Sequence, residues 1–273
     1  MHRLVYLSIL VFVPALASAE CRYSADRNFD VPAAGIRTIA FDLGSSDVIV
    51  EGAPGISNIE VRGRACASQA QWLDQLTVDQ NRNGDRLEIT PHDGHDLHGF
   101  GSHYAYVQLR VRMPTKLAVT VKSVSGDAEV GNIASLDFDS SSGDVQASHI
   151  SGTFGAHVSS GDVRGEDIGD VEIRATSSGD INLRDVHGPV NVARSGSGDL
   201  RLDTVGGVQV GSVGSGDVWV SDSSGDVAVE SIGSGDLSVN GVNGNFRVGS
   251  RGSGSIDHRN VHGTVSVPRD NDD

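Results

Sequence analysis

The chain is short of several things. Aromatic residues make up 5% of its 273 positions, and it holds only two cysteines, two methionines and two tryptophans. Basic residues are outnumbered, 21 against 36 acidic, for a formal net charge of −15. That balance excludes a nucleic-acid partner, because neutralising phosphates requires clustered Lys and Arg. Beyond the first twenty residues no stretch approaches the ~20 consecutive apolar residues of a membrane-spanning helix. Disorder is excluded as well, since 37% of the chain is hydrophobic. Glycine is what the chain has in excess: 35 residues, where average usage of about 7% would give roughly half as many. An ordinary helical protein does not tolerate that, because each interior glycine costs a helix about 1 kcal/mol. Collagen is excluded too, since the glycines do not recur at every third position.

Residues 1–19 read as a secretory signal peptide: Arg3, an apolar run from Leu4 to Leu16, then Ala17-Ser18-Ala19 as a small-residue cleavage site. Cys21 follows Glu20, which is a poor fit to the small residue that lipidation signals place there. The other cysteine is Cys66, and two cysteines in an exported chain most simply form one disulfide, Cys21–Cys66. The expected mature protein is secreted, to the periplasm or the cell envelope, with no transmembrane segment.

From Asp127 onward the sequence repeats. Ser-Gly-Asp recurs with its aspartate at Asp127, Asp144, Asp162, Asp180, Asp199, Asp217 and Asp236, and a last copy reads Ser253-Gly254-Ser255. The steps are 17 to 19 residues, a coil length that points to a solenoid. After each aspartate comes an apolar–polar–apolar alternation, an apolar residue three later, a glycine turn and another alternating pair. For Asp180 these are Ile181, Leu183, Val186, Gly188, Val190 and Val192. Period-two alternation of β-branched residues is strand patterning with one face buried. The expectation is an all-β parallel β-solenoid of about eight coils, two short strands per coil, its narrow interior filled by Val, Ile and Leu with little room for rings.

Residues 20–118 are β-like without a strict period and are expected to form an irregular N-terminal cap. Candidate strands are 38–43, 47–50, 58–63, 86–90 and 104–112, and Gln69 to Leu76 is the one candidate helical turn. Gly44-Ser45-Ser46-Asp47-Val48-Ile49-Val50 reads as a degenerate copy of the repeat turn, so the solenoid could begin there. The repeats then occupy residues 119–267, and 268–273 form a disordered acidic tail.

Ser46-Asp47-Val48-Ile49-Val50-Glu51-Gly52, Val107-Gln108-Leu109-Arg110-Val111-Arg112-Met113-Pro114 and the Ser-Gly-Asp series together resemble the bacterial DUF4097/DUF2807 group of adhesin-like β-strand repeat proteins. The resemblance implies a parallel β-solenoid, right-handed, in the bacterial envelope, and it supplies no catalytic residues.

Four constellations could carry chemistry. Stacked coils would line up the aspartates of the repeat turn, with Asp226 added at half-coil spacing, at ~4.8 Å intervals. Neighbouring carboxylates would then repel by about 0.9 kcal/mol even in water. Backbone N–H groups could offset that, with glycine supplying an unusual dihedral, or Ca²⁺ could, since it takes carboxylate and carbonyl oxygens. His92, His95 and His98 alternate with aspartates and could ligate Zn²⁺ or Cu²⁺, although the glycines among them suit a solvated loop. The outward position two after each aspartate carries, among others, Arg164, Asn182, Arg201, Trp219 and Ser238. Arg201 and Trp219 would be neighbours, a pairing suited to stacking on a sugar. Acidic pairs such as Glu166/Asp167 could serve acid–base chemistry. The expected function is non-enzymatic: an exported structural or binding module, adhesin-like, with no cofactor and an envelope component or glycan as partner. The alternatives are a carbohydrate-active enzyme or a Ca²⁺-dependent module on the same scaffold.

Overall fold

A computed structural model describes residues 21–92 and 104–268. The expected leader, His95, His98 and residues 269–273 lie outside the described residues. Those described form 23 strands and one 3-10 turn, Ala70–Gln75, where the helical turn was expected. From Ala118 to Val261 eight coils follow one another, each contributing a strand to each of two parallel ladders. Stacking in register builds continuous inward rows. One runs Val48, Ala128, Val145, Val163, Ile181, Leu200, Val218 and Leu237 to Ile256. All but the terminal Ile256 are buried. Fully burying such a side chain is worth about 1.5–3 kcal/mol, and it becomes available only when the next coil is in place.

The interior does take rings: Phe41, Phe138, Phe154 and Phe246 are all fully buried. They fit because small residues face them. Phe138 is in register with Ala156, and the ring of Phe154 reaches over Gly165. The expectation that the coil has little room for aromatics therefore fails where a large residue in one coil meets a small one in the next.

Upstream, the chain does not lay its coils down in order. β1 (Tyr23–Asp26) and β2 (Phe29–Pro32) lead into β3 (Thr38–Asp42) and β4 (Asp47–Ala53). Next come β5 (Asn58–Ala67), β6 (Thr77–Asn83), β7 (Arg86–His92), β8 (Ala105–Pro114), β9 (Ala118–Ser123) and β10 (Ala128–Ile133). β3 lies between β7 and β9, and β4 between β8 and β10, all in parallel. Residues 38–53 are thus an internal coil of the stack, clamped between two segments that follow them in sequence. β5 pairs antiparallel with β8 and β6 antiparallel with β7, and β1 and β2 then pair antiparallel with β5. These antiparallel strands cover the solenoid's first edge, which would otherwise offer unpaired backbone groups to another chain. Cys21–Cys66 ties the segment just before β1 to β5, with Cα atoms 5.4 Å apart. The far end is finished less thoroughly. Ile256–Val261 and Val265–Ser266 each pair on one side only, and Pro268 follows them.

Two features of the repeat are backbone devices. The turn glycines carry no positive φ. They are required because the coils approach too closely for a side chain: a Cβ on Gly179 would overlap the Gly161 carbonyl oxygen, and the same clash recurs down the column. The unusual dihedral sits instead five residues after the aspartate. Asn132, His149, Asp167, Asp185, Thr204, Asp222, Gly241 and Asn260 all have φ between 53° and 74°. Each left-handed residue reverses the in–out alternation, which is how an apolar residue six after the aspartate returns to the core. Asn and Asp tolerate that region best among non-glycine residues.

Replacing Gly179 by Ala should therefore cost about 1–3 kcal/mol or more, since two backbones must separate. Gly207→Ala, whose added Cβ would meet nothing closer than 3.6 Å, should leave stability within about 0.5 kcal/mol. Chemical denaturation of the two variants checks the contrast. Equal midpoints would mean that close approach is not what selects glycine.

Candidate binding surface

The outer turn of the solenoid is made by the Ser-Gly-Asp segments. Each aspartate points along the stack, and its Oδ1 accepts the backbone N–H of the equivalent residue one coil on. Asp47 receives Asp127 N–H at 3.0 Å, Asp127 receives Asp144 at 2.9 Å, and Asp144 receives Asp162 at 2.8 Å. The series continues through Asp162, Asp180, Asp199 and Asp217 to Asp236, which receives Ser255 N–H at 2.8 Å. A charge-assisted bond per coil offsets the carboxylate repulsion. Just inside the turn, Ser140 Oγ accepts Gly143 N–H at 2.8 Å, while Ser123 Oγ donates to the Gly126 carbonyl at 2.7 Å.

Two corrections follow. Asp226 does not belong to this column. Its Oδ1 accepts Asn245 N–H at 2.7 Å, and Asn245 Oδ1 accepts Thr264 N–H at 2.9 Å, so it begins a second, shorter column on the opposite turn. Asp47, by contrast, heads the main column from 80 residues upstream of Asp127. Its signal was the degenerate repeat turn around Ser46-Asp47.

The outward row two residues after each aspartate is in register as expected. It runs from Ile49 and Glu129 through Arg164, Asn182, Arg201 and Trp219 to Ser238 and Asp257. The Arg201 guanidinium carbon lies 4.3 Å above the centroid of the Trp219 ring, while its Nη2 donates to Asp199 Oδ2 at 2.9 Å. Arg201 covers one side of the indole; the next coil places only the small side chain of Ser238 in register with it. A flat π-face next to a hydroxyl and carboxylates suits a sugar ring. Beside the row lie shallow polar grooves. One of about 310 Å³ is lined by Gln146, Ser148, Arg164, Glu166, Asn182 and Arg184, and one of about 390 Å³ by Ser238, Asn240, Asp257, Arg259 and Asn260 with Val239.

The remaining candidates do not converge. Glu166 is in register with Arg184 on the sheet face, while Asp167 occupies a left-handed corner and its Oδ1 lies 2.8 Å from His187 Nε2. The two adjacent carboxylates therefore serve different surfaces. His92 Nε2 lies 3.0 Å from Asp79 Oδ2 at the end of β7, and its companions in the histidine tract fall outside the described residues. Among the described residues no three His, Cys, Asp or Glu side chains are grouped so as to hold a metal ion, and no helix is long and apolar enough to cross a membrane.

The fold and this surface define a class: parallel β-solenoids that carry a regular polar face on a stack of short coils. The sequence profile of Toastrack DUF4097 matches residues 36–220, and the chain belongs to that family. A search of curated proteins finds no match. Among solved structures, a putative adhesin from Bacteroides fragilis is 13% identical with a TM-score of 0.45, covering 90% of this chain and 98% of that one. A putative adhesin from Parabacteroides distasonis is 14% identical with a TM-score of 0.42, covering 89% of this chain and 97% of its own. A putative lipid binding protein from the same organism is also 14% identical, with a TM-score of 0.41 over 89% and 97% of the two chains.

The last carboxylate of the column generates a pH prediction. Asp236 is held below the ordinary carboxylate range by the Ser255 backbone N–H and then by the Ser255 hydroxyl, 2.9 Å from the same oxygen. A carboxyl depressed in the folded state contributes stability above its unfolded pKa of about 3.9 and loses it as pH falls through the folded value. Asp236→Asn keeps an acceptor oxygen but takes up no proton. Its melting temperature should fall less than that of the wild type between about pH 5 and pH 2. Parallel decline of the two proteins would show that the Ser255 bonds do not form.

Proposed function

We propose that the chain is a non-enzymatic, exported module of the bacterial envelope that binds a glycan or envelope component along its solenoid face, in the manner of an adhesin. The observation that carries this reading is the in-register outward row, with the Arg201–Trp219 stack within it and shallow grooves beside it. Such a face offers one outward side chain per coil at even spacing, so weak individual contacts sum when the ligand extends along the stack. The Cys21–Cys66 disulfide supports export, since such bonds persist in oxidising compartments. A glycoside hydrolase on the same scaffold would ordinarily place two carboxylates on either side of a cleft. Glu166 and Asp167 instead diverge, which favours binding over hydrolysis. No cofactor is required by this reading.

An array of bacterial and host glycans and envelope components, probed with the mature protein, tests it. At least one ligand should bind, and Trp219→Ala should weaken that binding about tenfold, as loss of an aromatic anchor does. Silence on every ligand would remove adhesion and leave a scaffold role. Run with Ca²⁺ and with EDTA, the array and the melting temperature should not change. A drop of several degrees in EDTA would replace this reading with a Ca²⁺-dependent module.

A further inference from the structure

A concavity of about 590 Å³ lies where the parallel stack meets the antiparallel cap, lined by Asp26, Asn28, Asp47, Ile49, Arg62 and Arg64 together with Gln108 and Arg110. It exists because β8 changes partners there: it runs parallel to β4 on one side and antiparallel to β5 on the other. The outward residues of these strands meet in register across the junction. Arg62 stands directly opposite Arg110, and Arg64 is flanked by Gln108 and Asp26. On the far side of β8, Asp47 is next to Gln108 and Ile49 next to Arg110.

Several of the chain's surface arginines are neutralised within the fold. Arg37, Arg112, Arg164, Arg174 and Arg201 each reach a carboxylate. Arg62 is engaged as well, by Asp30 and the carbonyls of Phe29 and Val61. Arg64 and Arg110 make no hydrogen bond or ion pair with any described residue, as is also true of Arg86, Arg184, Arg194, Arg247 and Arg259; here, however, two such groups line one concavity together with Arg62, in a chain of net charge −15. Like charges placed directly opposite on a ladder destabilise it, so the Arg62–Arg110 pair works against the sheet that carries it. Two unengaged guanidinium groups beside a third are a receptor for a carboxylate or phosphate, which arginine grips bidentately.

Asp26 and Asp47 narrow the choice. A compact polyanion such as phosphate would be pushed away by them, whereas hydroxyl groups can donate to them. Gln108 and Asn28 add amides that both donate and accept. Ile49 is half-buried and aliphatic in an otherwise largely polar outward row, and it gives the groove an apolar floor. The volume falls within the 300–1,000 Å³ typical of small-molecule sites. We propose that this groove binds a carboxylated saccharide, its carboxylate on Arg64 and Arg110, its hydroxyls on Asp26, Asp47 and the amides, and its ring C–H face over Ile49.

The inference rests on the reading of the chain as a glycan-binding module and is tested apart from it. Isothermal titration of the mature protein would use trigalacturonate and sialyllactose as acidic probes, with methyl-esterified trigalacturonate and lactose as their neutral counterparts. Inorganic phosphate is the compact anion. At least one acidic sugar should bind, more weakly as salt rises, and at least tenfold more tightly than its neutral counterpart or phosphate. Arg64→Gln with Arg110→Gln should lower that affinity at least tenfold, while Arg247→Gln, many coils away, should leave it unchanged. Circular dichroism and thermal melts would confirm that the variants fold. Equal binding of acidic and neutral probes, phosphate binding as tightly as the sugar, or an unaffected double variant would each overturn the proposal. No binding of either acid, with hits elsewhere on the array that depend on Trp219, would sink the groove and leave the binding-module reading in place. Silence in both experiments would sink both.

Discussion

The constraint on which the rest depends is the distance of closest approach between coils at the Ser-Gly-Asp turn. Successive turns sit so near one another that the carbonyl of one occupies the space where the next would carry a Cβ. Only glycine can stand there, and the carboxylate beside it then reaches the following N–H at about hydrogen-bond length in every coil. Tight stacking of turns fixes the register of both ladders, because a coil cannot slip by a residue without placing a side chain into a carbonyl. The register in turn aligns Val with Val and Ile with Leu inside. The hydrophobic stabilisation is large, but it is the glycine–carboxylate turn that says which residue meets which.

That division explains what the sequence shows openly and what it conceals. The repeat period, the inward rows and the parallel pairing are legible because each is a local or translational property, and the Cys21–Cys66 bond because the chain holds only two cysteines. A residue at one position of a coil predicts its neighbours simply by adding a coil length. Asp226 shares the Ser-Gly-Asp tripeptide with the main column, but it lies half a coil from Asp217 and Asp236, and its bond to Asn245 N–H shows that this spacing puts it on the opposite turn. The left-handed column was missed because its occupants, Asn, His, Asp, Thr and Gly, share no side-chain chemistry. What they share is a position five after the aspartate, and that becomes visible once the rows on either side are known to point inward.

The insertion of β3 and β4 between later segments was concealed for a different reason. Periodicity reports the order of coils along the chain, not in space, and a coil placed out of order keeps the same apolar alternation. The degenerate turn at Ser46-Asp47 carried the clue, since Asp47 makes the same bond to the next coil as every later member of the column. β1, β2 and β6 went unread because antiparallel cap strands have exposed faces and no period to follow.

The functional consequence lies in how the two halves of the fold use their surfaces. In the regular stack, backbone geometry consumes the turn glycines and aspartates, and the sheet presents an evenly spaced row of differing outward side chains. Cation and carboxylate are balanced along much of that row, as with Arg164 on Asp162 and Arg201 on Asp199. Balance fails where the strand direction reverses. There the register set by β4 and the register set by β5 are imposed on β8 from opposite sides, and they bring Arg62 and Arg110 face to face. Neither ladder selects that pairing for stability, and the fold neutralises only one member of it, Arg62, through Asp30. The concavity where three arginines meet is also the place where the parallel repeat gives way to the antiparallel cap.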